Sequence, residues 1–253
     1  MDYTYREMMA IAAAREIRDN EIVFCGTGIS MLAAMAAKHI SAPNSVIFFE
    51  TGAIDSLLEE IPMAVADPRV MYGTSFNGGL ADAFATMQNR FTGPQVVGIL
   101  GAAQIDPYGN LNSTAIGDYH QPKVRFSGSG GACDVASFVG RTIIFMQQVK
   151  GRFVKKLDYF TSPGYLEGGR SRELAGLRPG GPAAVITDKG IFRFDEETKR
   201  MYLAGFYQGV KIDDIMATMD FAVESDRALS VPAASATELC VLREICDPQG
   251  LIR

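Results

Sequence analysis

Residues 45–55, SVIFFETGAID, constrain the fold more than any other stretch, because four apolar residues run without polar alternation into a glutamate, with a glycine two positions later. Val46, Ile47, Phe48 and Phe49 favour extended backbone, and such an unalternated run is the pattern of a strand buried on both faces, as in parallel sheets covered by helices. Glu50 stands where that strand stops. In open α/β sheets ligands bind in the crevice outside the carboxyl ends of the strands, so a carboxylate delivered there is placed to react. The same position also suits a structural glutamate that caps or pairs.

The rest of the chain supplies the partners such a strand needs. Thr4 to Glu7 reads as a capping box, followed by apolar residues at helical spacing to about Arg18. A strand is predicted over Glu21 to Cys25. It breaks into Gly26-Thr27-Gly28 before an apolar helix from Ser30 to His39, which gives a strand, a glycine turn and a helix N-terminus. That arrangement lets backbone amides approach an anion or a carbonyl oxygen. It is not a dinucleotide fingerprint, since Met31 occupies the place of its third glycine. A βα turn that needs small residues accounts for it equally well. A helix is expected over Leu80 to Asn89, a buried strand over Gln95 to Leu100, and another strand within Arg141 to Val149. From Gly180 the pattern changes to hairpins over 183–187, 191–194 and 201–207, then a helix at 212–218, a short strand at 221–224 and a helix opened by the capping box Ser235 to Glu238. The fold class is therefore α/β: an open, mostly parallel sheet flanked by helices, with antiparallel strands and helices at the C-terminal end. One domain spanning residues 1–253 is expected, with a C-terminal hairpin and helical extension from about residue 180.

Composition excludes several function classes. With 21% charged residues and a net charge of −5 there is no basic footprint for nucleic acid. No apolar run reaches the ~18–20 residues of a membrane span. The opening MDYTYREMMA lacks the pattern of a secretory signal, so the cytoplasm is the expected location. Cys25, Cys133, Cys240 and Cys246 form no CxxC pair, and His39 and His120 lie far apart, so no metal site is expected. His39 at a helix end complements the helix dipole, and His120 reads as structural.

Two loops stand out as sites. Residues 101–114, GAAQIDPYGNLNST, follow a core strand yet are dense in turn formers and carboxamides, so the loop either satisfies its own backbone or lines a cavity. Gln104 and Asn110 are its candidate binding residues. In FSGSGGACD, 126–134, Gly128, Gly130 and Gly131 surround Ser129, and glycines let backbone N–H groups converge. A turn closing a βα connection accounts for this loop too. Cys133 has no visible base and reads as a packed thiol. Arg152, Lys155 and Lys156 cluster after a strand, either as a solvated face or as a site for phosphates.

Read together, FFETGAID, GAAQIDPYGNLNSTAIGDY, KVRFSGSGGACD, LDYFTSPG and VITDKGIFRFDEETKRMYLA resemble the β subunit of a family I coenzyme A transferase, over nearly the whole chain from Thr4 to about Asp247. The resemblance implies that Glu50, the glutamate of the E-T-G strand-end motif, is the catalytic nucleophile. It implies that the glycines around Ser129 lie at the active site, where they, the Gly26-Thr27-Gly28 turn and Gly52 are candidate substrate-binding or oxyanion contributors. It implies no permanently bound cofactor, coenzyme A entering as the acyl-CoA substrate. An α subunit is implied as partner, in an α2β2 or larger assembly, with acyl-CoA and a carboxylic or dicarboxylic acid as substrates. The 63–79 loop is expected to help shape the acyl pocket. Relatives acting as ring-cleaving hydrolases or decarboxylases share the fold but lack this glutamate, so its presence favours transfer over hydrolysis, decarboxylation or a non-catalytic scaffold. Where the family carries T-G-F this chain has Met219-Asp220-Phe221, and local geometry is least secure there.

Overall fold

The computed structural model describes residues 2–253, and the chain divides into two compact units, 1–100 with 233–253, and 101–232. The boundary near 180 anticipated for a C-terminal extension does not coincide with this division.

In the first unit, helix α1 (Tyr5–Glu16) starts at the predicted capping box: the Thr4 side chain accepts from the Glu7 N–H, and Glu7 accepts from the Thr4 N–H at 2.7 Å. Strand β1 (Ile22–Phe24) leads through the glycine turn into helix α2 (Ile29–Ile40), and strand β2 (Val46–Phe48) follows. Short strands β3 (Ala53–Ile54) and β4 (Phe76–Asn77), helix α3 (Leu80–Gln88) and strand β5 (Val96–Gly101) complete the run. The sheet order here is β5-β1-β2-β3-β4. β1 pairs in parallel with both β2 (Phe24 opposite Phe48) and β5 (Phe24 opposite Gly98), whereas β3 and β4 add antiparallel. The apolar run from Val46 behaves as the sequence predicts: Ile47, Phe48 and Phe49 are buried, and the Phe24 and Phe48 rings meet edge-on at 5.2 Å. Val23, Val97, Met31, Leu32 and the alanines of α1 and α2 fill the rest of this core.

The second unit contains two small antiparallel hairpins, β6 (Gln104–Ile105) with β7 (Leu111–Asn112), and β8 (Ala115–Gly117) with β9 (Pro122–Arg125), neither of which the apolar pattern announced. Helix α4 (Ala132–Phe138), strand β10 (Arg141–Met146), the short helix α5 (Ser171–Leu174), strands β11 (Pro182–Thr187), β12 (Gly190–Phe194) and β13 (Met201–Phe206), helix α6 (Ile212–Met216) and strand β14 (Leu229–Ser230) follow. The expected hairpins β11–β12 and β12–β13 are antiparallel, and β10 runs parallel to β11. The expected strand at 221–224 is not formed. Glu224 makes only an isolated bridge to Tyr202, and the strand that pairs in parallel with β13 lies later, at β14. Physically, residues 221–228 turn instead: Ala228 donates to the Ser225 carbonyl at 3.0 Å, and Arg227 pairs with Glu224 and Asp195 on the surface.

The first unit closes with helix α7 (Ala236–Cys240), opened by the Ser235–Glu238 capping box, and a π-helical turn over Val241–Cys246. Among the described residues no helix is long and apolar enough to cross a membrane.

Candidate active site

Because β1, β2 and β5 run parallel, their carboxyl ends share one edge of the first unit, and two features meet that edge. The first is Glu50. Phe49 still pairs, donating to the Ala53 carbonyl at 3.0 Å, and the Gly52 N–H closes a tight turn onto the Phe49 carbonyl at 3.0 Å. Glu50 and Thr51 are the two central residues of that turn, so the glutamate stands at its tip, half-buried. No hydrogen bond or ion pair among the described residues engages its carboxylate. The Thr51 hydroxyl beside it is buried and has no partner either.

Gly52 has φ +97°, and a Cβ there would lie 2.4 Å from the Gly78 carbonyl oxygen. The Gly78 N–H returns a hydrogen bond to the Gly52 carbonyl at 2.9 Å. The close approach that Gly52 permits is therefore to its own chain, which holds the Glu50 turn against β4, and not to a substrate as its place in the motif suggested.

The second feature is the turn from β1 into α2. Gly28, at φ +75°, caps the helix without a side chain, and the first turn of α2 holds no acidic residue. The amides of Gly26, Thr27 and Gly28 donate to no acceptor among the described residues, and a Cβ at either glycine would meet open space. Unpartnered amides at a helix N-terminus concentrate positive potential where the strand edge also presents the carboxylate.

In the second unit the glycine loop resolves unevenly. The Gly128 N–H donates to the Ser113 carbonyl at 3.1 Å and its own carbonyl accepts from the Ser113 hydroxyl at 2.9 Å, so that amide is engaged structurally. Ser129 caps α4, its hydroxyl accepting from the Cys133 N–H at 3.1 Å. The amides of Ser129, Gly130 and Gly131 remain without acceptors among the described residues, which narrows the oxyanion candidates in this loop to those three. Cys133 is exposed, not packed as expected, and has no base beside it. Burial instead raises the thiols of Cys25 and Cys246 to about 12, which makes them inert core groups.

Gln104 and Asn110 are buried, and their polar atoms are fully engaged. Gln104 accepts from Asn112 at 2.7 Å and from the Asp158 N–H at 3.1 Å, and donates to the Asp158 carboxylate at 3.2 Å. Asn110 donates to Asp106 and to the Leu166 carbonyl at 2.7 and 2.8 Å and accepts from the Gly164 and Leu166 amides. Burial raises the pKa of Asp106 even though it accepts these bonds. The polar loop thus satisfies its own backbone, the first of the two alternatives its composition allowed.

Lys155 and Lys156 are exposed, as a solvated face would be. Arg152 differs: with Lys150, which stands outside the cluster singled out in the sequence, it lines a cavity of 440 Å³. In the 63–79 loop, Pro68, Arg69 and Tyr72 join Leu57 and Glu60 around a second cavity of 380 Å³, where Arg69 is held by Asp67 and Glu60. No three His, Cys, Asp or Glu residues gather in a metal-binding group among the described residues.

This arrangement, a bare carboxylate on a strand-end turn beside unpartnered amides, matches what is known of other proteins at the level of the whole chain. Residues 6–218 match the model of the Coenzyme A transferase family. The chain belongs to that family. The β subunit of glutaconate CoA-transferase from Acidaminococcus fermentans is 41% identical, covering 98% of this chain and 94% of the relative. The β subunit of 3-oxoadipate CoA-transferase from Pseudomonas knackmussii is 32% identical over 96% of this chain and 93% of its own. The crystal structure of the Acidaminococcus fermentans glutaconate CoA-transferase superposes with a TM-score of 0.96 at 40% identity, covering 99% of this chain and 97% of that one. The open α/β architecture expected from the buried strand runs is thus that of a coenzyme A transferase.

Proposed function

We propose that this chain is the β subunit of a heteromeric coenzyme A transferase, cytoplasmic, that moves coenzyme A from an acyl-CoA donor to a carboxylic or dicarboxylic acid. Both transferase relatives are themselves β subunits, which supports the partner, an α subunit in an α2β2 or larger even assembly. Their names, glutaconate and 3-oxoadipate, favour a dicarboxylic acid. The observation that carries the chemistry is the Glu50 carboxylate, half-buried at the strand-end turn with no protein partner.

In the proposed course the Glu50 carboxylate attacks the thioester carbonyl carbon and expels coenzyme A thiolate, leaving a mixed anhydride. The thiolate then attacks the glutamyl carbonyl carbon, releasing the first acid and leaving a glutamyl-CoA thioester. A second acid reverses both steps. The thioester bond energy is conserved throughout, and one hard exchange becomes easier covalent steps. Each tetrahedral oxygen needs preorganised donors, each worth about 3 kcal/mol in comparable sites. The amides of Gly26 to Gly28 and of Ser129 to Gly131 are the groups available for that role.

Incubating the assembled enzyme with an acyl-CoA donor and no acceptor is expected to accumulate the Glu50 thioester. Borohydride then converts it to an alcohol, read by mass spectrometry as a loss of about 14 Da on the peptide containing Glu50, as the covalent scheme requires. A label on Cys133, or none with transfer intact, overturns the assignment. Free coenzyme A release without transfer would point to hydrolysis instead.

A further inference from the structure

Just beyond β10 the chain makes a tight turn in which the Arg152 N–H donates to the Val149 carbonyl at 3.3 Å. Gly151, the third residue of that turn, adopts φ +82°, which side chains rarely tolerate and which turns of this kind require there. The turn is pinned in place, because the Arg152 carbonyl accepts from the Ile105 N–H at 2.8 Å. Lys150 and Arg152 flank the glycine and line the 440 Å³ cavity, together with Ile116, Phe126 and Ser127, and no carboxylate lines it. Neither cation has an ion pair or side-chain hydrogen bond among the described residues. The other cavities differ. Arg69 in the 380 Å³ cavity is bound by Asp67 and Glu60, and Arg170 in a 470 Å³ cavity is bound by Glu173. In a chain of net charge −5, two unpaired cations on an acid-free cavity focus positive potential at one place.

Phe126 and Ser127 then run directly into the glycine loop, whose amides at 129–131 lack acceptors. A ligand seated in the cavity is thereby next in the chain to groups proposed to hold the thioester oxygen. The volume falls in the range of about 300–1,000 Å³ typical of small-molecule sites. We propose that this cavity binds the 3′-phospho-ADP end of coenzyme A. Lys150 and Arg152 take its phosphates, and Ile116 and Phe126 supply the apolar wall. The inference rests on the transferase reading for the identity of the ligand, and on the cavity alone for its charge.

The test uses the assembled enzyme and a Lys150→Ala, Arg152→Ala double variant. Binding of 3′,5′-ADP is measured by calorimetry, and transfer is measured with an acyl-CoA and with the matching acyl-pantetheine thioester, which carries no nucleotide. Loss of two charge-assisted contacts is expected to raise the Kd for 3′,5′-ADP and the KM for acyl-CoA roughly 10- to 100-fold. The kcat/KM for acyl-pantetheine should stay within about twofold, since neither cation then has a phosphate to meet. An Arg152→Lys single variant should retain most of the binding, because a point charge still reaches a phosphate. An unchanged Kd for 3′,5′-ADP, or wild-type enzyme that does not bind it, overturns the proposal. So does a rise in KM confined to the acid acceptor, which would make this the acid's site. Binding that depends on Lys150 and Arg152 in an enzyme that transfers nothing would keep the site and sink the transferase reading. Transfer with an unaffected double variant would do the reverse.

Discussion

Three glutamates in the first unit show how differently one side chain can be held. Glu7 and Glu238 are each the third residue of a capping box, and each also meets an arginine distant in sequence. Glu7 receives Arg243 through two hydrogen bonds of 2.7 and 3.0 Å, and Glu238 receives Arg15 through two of 2.7 and 2.8 Å. Together they clasp α1 at both ends to the C-terminal helices. Glu50, on the strand-end turn of the same unit, has no such partner. Burying a carboxylate costs several kcal/mol unless hydrogen bonds and an opposite charge offset it, so the clasp glutamates are committed to the fold. A half-buried carboxylate that the fold leaves unengaged is open to a reacting carbonyl.

The contrast predicts opposite phenotypes, the larger at Glu50. Glu50→Gln is nearly isosteric and removes no structural contact. Turnover of the assembled enzyme should fall by about a thousandfold or more, while unfolding free energy stays within about 0.5 kcal/mol of wild type. Steady-state transfer assays and denaturant melts on one preparation decide it. A loss of activity in proportion to lost stability would make Glu50 a third structural glutamate and erase the contrast. Arg243→Ala should do the reverse. It leaves the buried Glu7 carboxylate with only its capping contacts, so stability should drop by about 2–4 kcal/mol with transfer per folded molecule unchanged. A stable Arg243→Ala protein would mean that the capping box alone supports Glu7.

What could be read from the sequence follows the range of the interactions involved. The buried run at Val46 to Phe49, both capping boxes and the Asp188-Lys189-Gly190 hairpin depend on neighbours within a few residues, and each is found where the pattern placed it. Glu50 was legible because a strand end is a local event and its E-T-G context is distinctive. The Glu7–Arg243 clasp spans 236 residues, and no local pattern announces it. The hairpins β6–β7 and β8–β9 escaped for a related reason. They are tied by side chains such as Asp158, which accepts from Gly117 across 41 residues, and not by an alternating apolar face. Gln104 and Asn110 were open to either reading because a carboxamide that lines a cavity and one that braces a loop look alike in sequence. Lys150 was missed although a signal existed: K-G-R directly after a strand is a turn that displays two cations.

The smallest expected effect separates the clasp from the rest of the molecule by pH. Burial alone would raise the pKa of Glu238, but the hydrogen bonds from Arg15 and from Ser235 outweigh it and hold the carboxyl down at about 2. The Arg243 hydrogen bond likewise lowers Glu7, against the opposing effect of burial. A folded pKa below the unfolded one means that the unfolded chain binds more protons in acid, so stability rises with pH. The clasp's contribution is therefore complete above an unfolded value near 4.5 and is lost as the pH falls toward 2. Because Arg15 is partly solvated, screening reduces the Glu238 share to about 1–2 kcal/mol. Urea melts of wild type and Glu238→Gln between pH 6 and pH 2 should show the variant less stable at neutral pH, the gap closing as the wild-type carboxyl protonates. Glutamine keeps the capping geometry, so the closing gap reports the charge and not the cap. A gap that persists unchanged to pH 2 would mean that Glu238 is held by packing, and that its resemblance to Glu7 does not extend to the ion pair.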